Sequence, residues 1–138
     1  MSQKQAKFTI VSTIEAIDDA VVRTVAFASD AGFADDAIFA IDMAMREAVA
    51  NAVKHGNKLD DTKNVEITLN DLTDGLEMKI RDFGAGFDVS EVPDPTNPEN
   101  LLKASGRGIL FMHNFVDAVE WTRHDGGGMI VRMLKKRA

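Results

Sequence analysis

A carboxylate, a carboxamide and an imidazole recur at regular spacing in one segment of the chain. Glu47, Asn51 and His55 are four residues apart, a spacing that places side chains on one face of a helix. Glu47 and Asn51 stand among alanines and valines, where a partly desolvated carboxylate has a raised affinity for a proton. This environment suits Glu47 to general-base chemistry, and the Asn51 carboxamide offers a neutral oxygen to Mg²⁺. Taken alone, the segment fits an ordinary helix with polar residues at its edge equally well.

A second candidate segment, Asp82-Phe83-Gly84-Ala85-Gly86, directly follows a predicted strand. A carboxylate at a strand end can accept a hydrogen bond from an exocyclic amine. Glycines two and four residues later remove the side chains that would block a flat ring or a phosphate chain. A glycine-rich turn is the competing interpretation, and it is the commoner one for this segment alone. Asp-Phe-Gly also occurs in eukaryotic-type protein kinases, but their other motifs are missing and the chain is too short for that fold.

The third candidate segment, Ser105-Gly106-Arg107-Gly108, lies where a long loop meets a predicted helix. Backbone N–H groups at a helix N-terminus form an anion site when glycine leaves them uncrowded. Arg107 could add a charge-assisted contact to a phosphate. A loop-to-helix junction capped by Ser105 explains the segment about as well. The sequence contains neither a Gly-x-x-x-x-Gly-Lys-Ser/Thr phosphate loop nor a dinucleotide-binding fingerprint.

The elements that must position these segments follow from hydrophobic periodicity and turn residues. We predict, in order, a strand at 8–12, helices at 15–30 and 35–55, strands at 65–69 and 76–80, a loop at 83–104, a helix at 106–115, and strands at 117–123 and 129–135. Hairpins with helices grouped between them favour an α+β fold, a two-layer sandwich with helices on one face of a mixed, mainly antiparallel sheet. A loop as long as 83–104 is more often a functional lid than a simple connection.

Composition narrows the class of protein. The length of 138 residues predicts a single domain over 1–138, and 45% hydrophobic residues provide for a core. A net charge of −6 disfavours nucleic-acid binding, which needs a basic surface. The chain has no cysteine, no signal-like N-terminus and no apolar run near the ~20 residues that a membrane span requires. We therefore expect a cytoplasmic protein that contacts neither membrane nor nucleic acid.

The order of the three segments resembles the GHKL ATPases, the superfamily of gyrase, histidine kinases and MutL, which share the Bergerat ATP-binding fold. The segment 47–55 matches the N box of that superfamily, Glu-x-x-x-Asn-Ala-x-x-His. The glycine motifs match its G1 and G2 boxes, at 82–86 and 106–108. The resemblance extends from about 8 to 135 and leaves no room for a histidine-bearing dimerisation domain.

Within the superfamily, the chain is similar to the stand-alone RsbW-type anti-sigma-factor serine kinases. The resemblance implies a homodimeric serine/threonine kinase that uses ATP and Mg²⁺. It further implies two partners: a sigma factor or another regulatory protein, and an anti-anti-sigma protein with a STAS domain whose serine or threonine is phosphorylated. A non-catalytic module that binds ATP and sequesters a regulatory protein is the alternative. The presence of Glu47 favours the kinase, since a pure binding module has no need of a base.

The resemblance also assigns roles to individual residues. It implies that Asn51 coordinates a Mg²⁺ that bridges the phosphates, that Glu47 accepts the proton of the attacking hydroxyl, and that Asp82 accepts a hydrogen bond from the adenine amino group. Lys54 stands where some relatives place a phosphate-contacting base. The other residues expected around the nucleotide are Gly84 and Gly86 beside adenine, Gly106 and Gly108 in the lid, and His55, Ser105 and Arg107. Met129 departs from the pattern, since relatives often carry a threonine there that supports the adenine site.

Overall fold

The computed structural model describes residues 4–84, 115–124 and 126–137. The predicted lid loop beyond Gly84 and the helix predicted at 106–115, except for Phe115, lie outside the described residues. The predicted site residues that lie outside them are Gly86, Ser105, Gly106, Arg107 and Gly108. The assignments made for these residues therefore remain predictions.

Two helices and one sheet make up the described part of the chain. The elements are β1 (Gln5–Val11), α1 (Ile14–Asp30), α2 (Asp35–Asn51) with a π-helical turn (Ala52–Gly56), β2 (Asn64–Leu72), β3 (Gly75–Arg81), β4 (Ala118–Arg123) and β5 (Met129–Lys136). The strand order is β1-β2-β3-β5-β4, and the four described strand pairs are all antiparallel. The α+β prediction is confirmed, with an antiparallel sheet where a mixed, mainly antiparallel one was predicted.

Alternation along the strands gives the sheet one apolar face. In β2, Val65, Ile67 and Leu69 are fully buried, and the residues between them are half-buried. The strand register joins such positions into a row across all five strands, namely Phe8, Ile67, Ile80, Val131 and Trp121. Successive side chains of a strand point to opposite faces, so each strand contributes every second residue to the core.

The two helices cover this apolar face. Thr13 caps α1 by accepting a hydrogen bond from the Ala16 amide at 3.3 Å, and α1 ends before Gly32, whose φ of +87° is favourable for glycine. In α2, Ala44 and Ala48 are almost fully buried, and side chains this small let the helix approach its neighbours closely. None of the described helices is long and apolar enough to cross a bilayer.

The end of α2 differs from the predicted single helix over 35–55. Regular α-helix stops at Asn51, and the chain continues through a π-helical turn in which the Asn57 amide donates to the carbonyl of Ala52 at 2.8 Å. Hydrophobic periodicity cannot reveal such a turn, because a five-residue stretch is too short to distinguish two helical windings. Two of the predicted site residues, Lys54 and His55, lie within this π-helical turn.

Candidate functional site

The helical side of the site is formed by the last turn of α2 and the π-helical turn. Glu47 and Asn51 are half-buried, whereas Lys54 and His55 are exposed. The Glu47 side chain forms no hydrogen bond or ion pair with any other described residue. The wider winding of the π-helical turn moves His55 away from the half-buried line that Glu47 and Asn51 share. A carboxylate and a carboxamide are therefore the two groups that this helix end presents side by side.

Asp82 follows β3 and is almost completely buried, with 3% of its surface exposed. Its Oδ1 accepts hydrogen bonds from the backbone amides of Gly84 at 3.1 Å and Met129 at 3.3 Å. Burial raises the pKa of the Asp82 carboxyl, while these two amides and the positive charge of Arg81 act in the opposite direction. Within the described residues, no hydrogen bond is made to Oδ2. Asp82 is thus a fixed acceptor with one oxygen available to a ligand.

Three glycines surround Asp82 so closely that no side chain fits. A Cβ on Gly56 would lie 2.3 Å from Asp82 Oδ2, and a Cβ on Gly84 would lie 1.7 Å from the Gly56 carbonyl oxygen. A Cβ on Gly128 would lie 1.9 Å from the Asp82 carbonyl oxygen, and Gly128 also has a φ of +86°. Gly84 was among the predicted site residues, whereas Gly56 and Gly128 were not. Their only signal in the sequence is that they directly follow His55 and precede Met129, and glycines there are equally typical of a helix end and a hairpin turn.

Asn51 and Asp82 line the same small pocket, although they are 31 positions apart in the chain. The remaining residues that line it are Ala48, Ala52, Ile80, Trp121, Met129 and Val131. The structure thus brings together the first two of the three predicted segments. Apart from the carboxamide, the carboxylate and the indole N–H of Trp121, the side chains that line the pocket are apolar. Trp121, the single tryptophan of the chain, was not predicted to belong to the site.

Arg81 fixes the outer side of the turn that carries Asp82. Its guanidinium carbon lies 4.2 Å from the centre of the Phe83 ring, and it donates a hydrogen bond to the Gly127 carbonyl at 3.3 Å. An ion pair with Glu66 at 3.6 Å holds the same guanidinium over the sheet. Cation–π contacts of this kind contribute about 0.5–1 kcal/mol at exposed sites. The Asp82 turn is therefore held from outside the pocket as well as from within.

The described donor set fits a magnesium–nucleotide complex better than a metal bound by protein alone. Among the described residues, no group of three or more His, Cys, Asp or Glu side chains could hold a metal ion. Mg²⁺ does not require such a group, because it usually keeps several waters and binds through one or two protein oxygens together with substrate phosphates. The half-buried Asn51 carboxamide, beside the unpaired carboxylate of Glu47, fits that kind of coordination.

Comparison with known proteins identifies the family. The profile of the histidine kinase-like ATPase domain matches residues 10–135, which include almost every described element and the pocket. The chain belongs to this family. The resemblance to the GHKL ATPases is confirmed.

Two relatives illustrate what proteins this chain is similar to. An anti-sigma F factor of Heyndrickxia coagulans is 32% identical over 142 residues, covering 99% of this chain and 94% of the relative. The serine-protein kinase RsbW of Bacillus subtilis is 30% identical over 105 residues, covering 72% of this chain and 66% of that protein.

A solved structure agrees with this fold. It holds the RsbU and RsbW domains of a Mycobacterium tuberculosis protein and aligns with a TM-score of 0.66 at 18% identity. The alignment covers 96% of this chain but only 32% of the other, so this chain spans about a third of the length of that chain. At this identity the likeness supports the fold alone.

Proposed function

We propose that this protein is an ATP-dependent serine/threonine kinase and anti-sigma factor that phosphorylates a STAS-domain partner. The observation that carries the proposal is the pocket shared by Asn51 and Asp82, with Glu47 one helical turn before Asn51. Relatives named anti-sigma F factor and serine-protein kinase RsbW support the same activity. The partners proposed are a sigma factor, or another regulatory protein, and an anti-anti-sigma protein. A homodimer in the cytoplasm is part of the same proposal.

Asp82 is the residue proposed to recognise adenine. Its Oδ1 already accepts two backbone amides, so Oδ2 is the atom that would accept a hydrogen bond from the adenine amino group. The apolar residues Trp121, Met129 and Val131 would contact the ring. Met129 carries no hydroxyl, so its side chain cannot supply the second contact to the base that a threonine makes in relatives.

Asn51 and Lys54 are the proposed contacts to magnesium and phosphate on the described side of the site. The half-buried Asn51 carboxamide oxygen would coordinate Mg²⁺, and the exposed Lys54 ammonium is free to swing toward a phosphate. Gly84 is proposed to shape the adenine side of the site, because it lets the turn after Asp82 pack against the Gly56 carbonyl. The residues proposed to complete the nucleotide site are His55, Gly86, Ser105, Gly106, Arg107 and Gly108.

Glu47 is the proposed base. When bound, ATP supplies the γ-phosphoryl group and Mg²⁺ neutralises charge on the phosphates. The partner's hydroxyl oxygen bonds to the γ-phosphorus as the bond to the bridging oxygen breaks, ADP leaves, and Glu47 accepts the hydroxyl proton. Because Glu47 has no ion-pair partner among the described residues, its carboxylate is available for that proton.

The proposal is tested by incubating the protein with γ-labelled ATP, Mg²⁺ and candidate STAS proteins from the same genome. We expect label on one STAS partner, and no transfer by Glu47→Gln, which should still bind ATP because it keeps the shape of the side chain. Normal phosphoryl transfer by Glu47→Gln would show that Glu47 is not the general base. Tight ATP binding with no transfer to any STAS protein would instead indicate the non-catalytic module that sequesters a regulatory protein.

A further inference from the structure

A buried carboxamide lies beneath the turn that carries Asp82. Asn57 follows the π-helical turn and has 1% of its surface exposed. Its Nδ2 donates to Ser12 Oγ at 2.8 Å and to the Asn64 carbonyl at 3.0 Å, and its Oδ1 accepts from the Phe83 amide at 2.8 Å. One side chain therefore joins the end of β1, the start of β2 and the turn after β3.

The hydrogen bonds that Asn57 donates and the one that it accepts reach different parts of the fold. A buried carboxamide is costly unless its polar atoms are paired, and here both amide hydrogens and the oxygen are used. The two donated bonds end on groups of the strand ends. The accepted bond alone reaches the Asp82 turn, because the Phe83 amide belongs to the peptide that links Asp82 to Phe83.

The Asp82–Phe83 peptide is held at several points. The Asp82 amide donates to the Met129 carbonyl at 3.0 Å, and its own carbonyl oxygen lies against Gly128, where a Cβ would come within 1.9 Å. Asn57 supplies the acceptor for the next amide, that of Phe83. With the peptide fixed on both sides, the direction in which the Asp82 carboxylate leaves the backbone is fixed as well.

We propose that Asn57 is a positioning residue for nucleotide binding and that it acts through the Phe83 amide on Asp82. This inference rests on the proposed binding of ATP at Asp82 and adds a residue that does not itself touch the nucleotide. The role belongs to the Asn57 oxygen, whereas the Asn57 nitrogen serves the packing of the strand ends. The two atoms of one side chain can therefore be separated by substitution.

Three variants separate the two roles. Asn57→Ala removes both the acceptor and the donor, Asn57→Asp keeps an acceptor for Phe83 but loses the donor, and Ser12→Ala removes one partner of the donor while leaving the acceptor in place. ATP affinity is measured by calorimetry, and thermal unfolding is recorded without nucleotide. We expect Asn57→Ala to bind ATP about tenfold more weakly than the parent protein, the value of one hydrogen bond.

The order of the variants decides between positioning and stability. We expect Asn57→Asp to melt lowest, since it buries a carboxylate against the Asn64 carbonyl, and yet to bind ATP more tightly than Asn57→Ala. Ser12→Ala should melt lower than the parent protein with nearly parental affinity. Equal ATP affinities in Asn57→Ala and Ser12→Ala would overturn the inference, because the Asn57 oxygen would then add nothing to binding. The negative charge of Asn57→Asp by itself opposes ATP binding, so charge cannot be the reason if this variant binds more tightly than Asn57→Ala.

Amide hydrogen exchange provides a measurement that does not depend on the variants folding well. In the parent protein, the Phe83 amide should exchange slowly and more slowly still with ATP bound, relative to amides in the middle of β2. Rapid exchange at Phe83 that ATP leaves unchanged would overturn the inference. A parent protein that does not bind ATP would instead overturn the proposed function, whereas normal ATP binding by Asn57→Ala would overturn the role of Asn57 alone.

Discussion

Asp82 is buried and accepts two backbone hydrogen bonds, so replacing its carboxylate by a carboxamide should change how it binds ATP. The carboxamide in Asp82→Asn keeps an oxygen for the Gly84 and Met129 amides but can present an amino group where the carboxylate had Oδ2. The new side-chain amino group and the adenine amino group would repel each other, and neither of these two donors would have an acceptor. We expect Asp82→Asn to lose at least about a hundredfold in ATP affinity, in the range for an unsatisfied buried pair. Calorimetry measures the ATP affinity of the two proteins. An affinity in Asp82→Asn equal to that of the parent protein would exclude a role of Asp82 in recognising adenine.

The same variant should reveal the charge of Asp82 through the pH dependence of stability. Burial raises the pKa of Asp82 in the folded protein above that in the unfolded chain, so the unfolded chain releases this proton more readily. The ionised carboxylate therefore destabilises the fold at neutral pH, and that penalty is relieved as the pH falls through the raised pKa. We expect Asp82→Asn to be at least as stable as the parent near pH 7, with the difference shrinking on acidification.

Urea unfolding of both proteins between pH 7 and 4 measures this difference. Comparing the two proteins cancels the effect of carboxyl groups that titrate alike in both. Glu77 is one of them: its burial raises its pKa, but the hydrogen bonds that it accepts from Arg132 and Asn70 outweigh this and lower the pKa. A difference that widens toward low pH would show that hydrogen bonding, and not burial, dominates at Asp82.

Among the elements, the β4–β5 hairpin carries a glycine whose role reaches beyond its own turn. Gly127 and Gly128 both have positive φ, of +99° and +86°, but only Gly128 is packed against another segment, since Gly127 has open space where a Cβ would go. Alanine at either position has to adopt a left-handed conformation, which costs about 1–2 kcal/mol. The neighbouring pair therefore separates backbone strain from contact with Asp82.

We expect Gly128→Ala to lose more than Gly127→Ala in both stability and ATP affinity. Its Cβ would displace the Asp82 carbonyl, which lies only 1.9 Å from the ideal position. Gly127→Ala should lose about 1–2 kcal/mol in unfolding free energy and keep its affinity for ATP. Denaturant unfolding and calorimetry on the two variants test this. Equal affinities in the two variants would mean that the hairpin does not shape the Asp82 site.

The elements were predictable from the sequence to different degrees. Alternation in β2 and β3 and the helical stripe of α2 determined their positions, because each depends on neighbours close in sequence. The close packing of glycines around Asp82 was not predictable from the sequence. Gly128 meets Asp82 across 46 residues, and only the insertion of β5 between β3 and β4 brings them together. Asn57 was missed for the same reason, because its partners Ser12 and Phe83 follow β1 and β3 and lie 45 and 26 residues away in the chain.

At the scale of the whole molecule, the pocket is built where the helical layer meets the sheet. Asn51 comes from the end of α2, Asp82 from the end of β3, and Trp121 from the edge strand β4. A ligand that contacts all three must be released before these elements can separate. Binding to the folded state alone therefore adds to the free energy of unfolding by mass action.

We expect saturating MgATP to raise the melting temperature of the parent protein, with about 2.7 kcal/mol of added stability at a hundredfold excess over Kd. The same concentration should leave Asp82→Asn nearly unshifted. If Asn51 coordinates magnesium, then removing Mg²⁺ with EDTA should reduce the ATP-induced shift in the parent protein, but should change little in Asn51→Ala, which has already lost that ligand. Differential scanning calorimetry of the three proteins with ATP, with and without Mg²⁺, measures these shifts. An equal EDTA effect in the parent and Asn51→Ala would mean that magnesium acts on the nucleotide alone and that Asn51 is not one of its ligands.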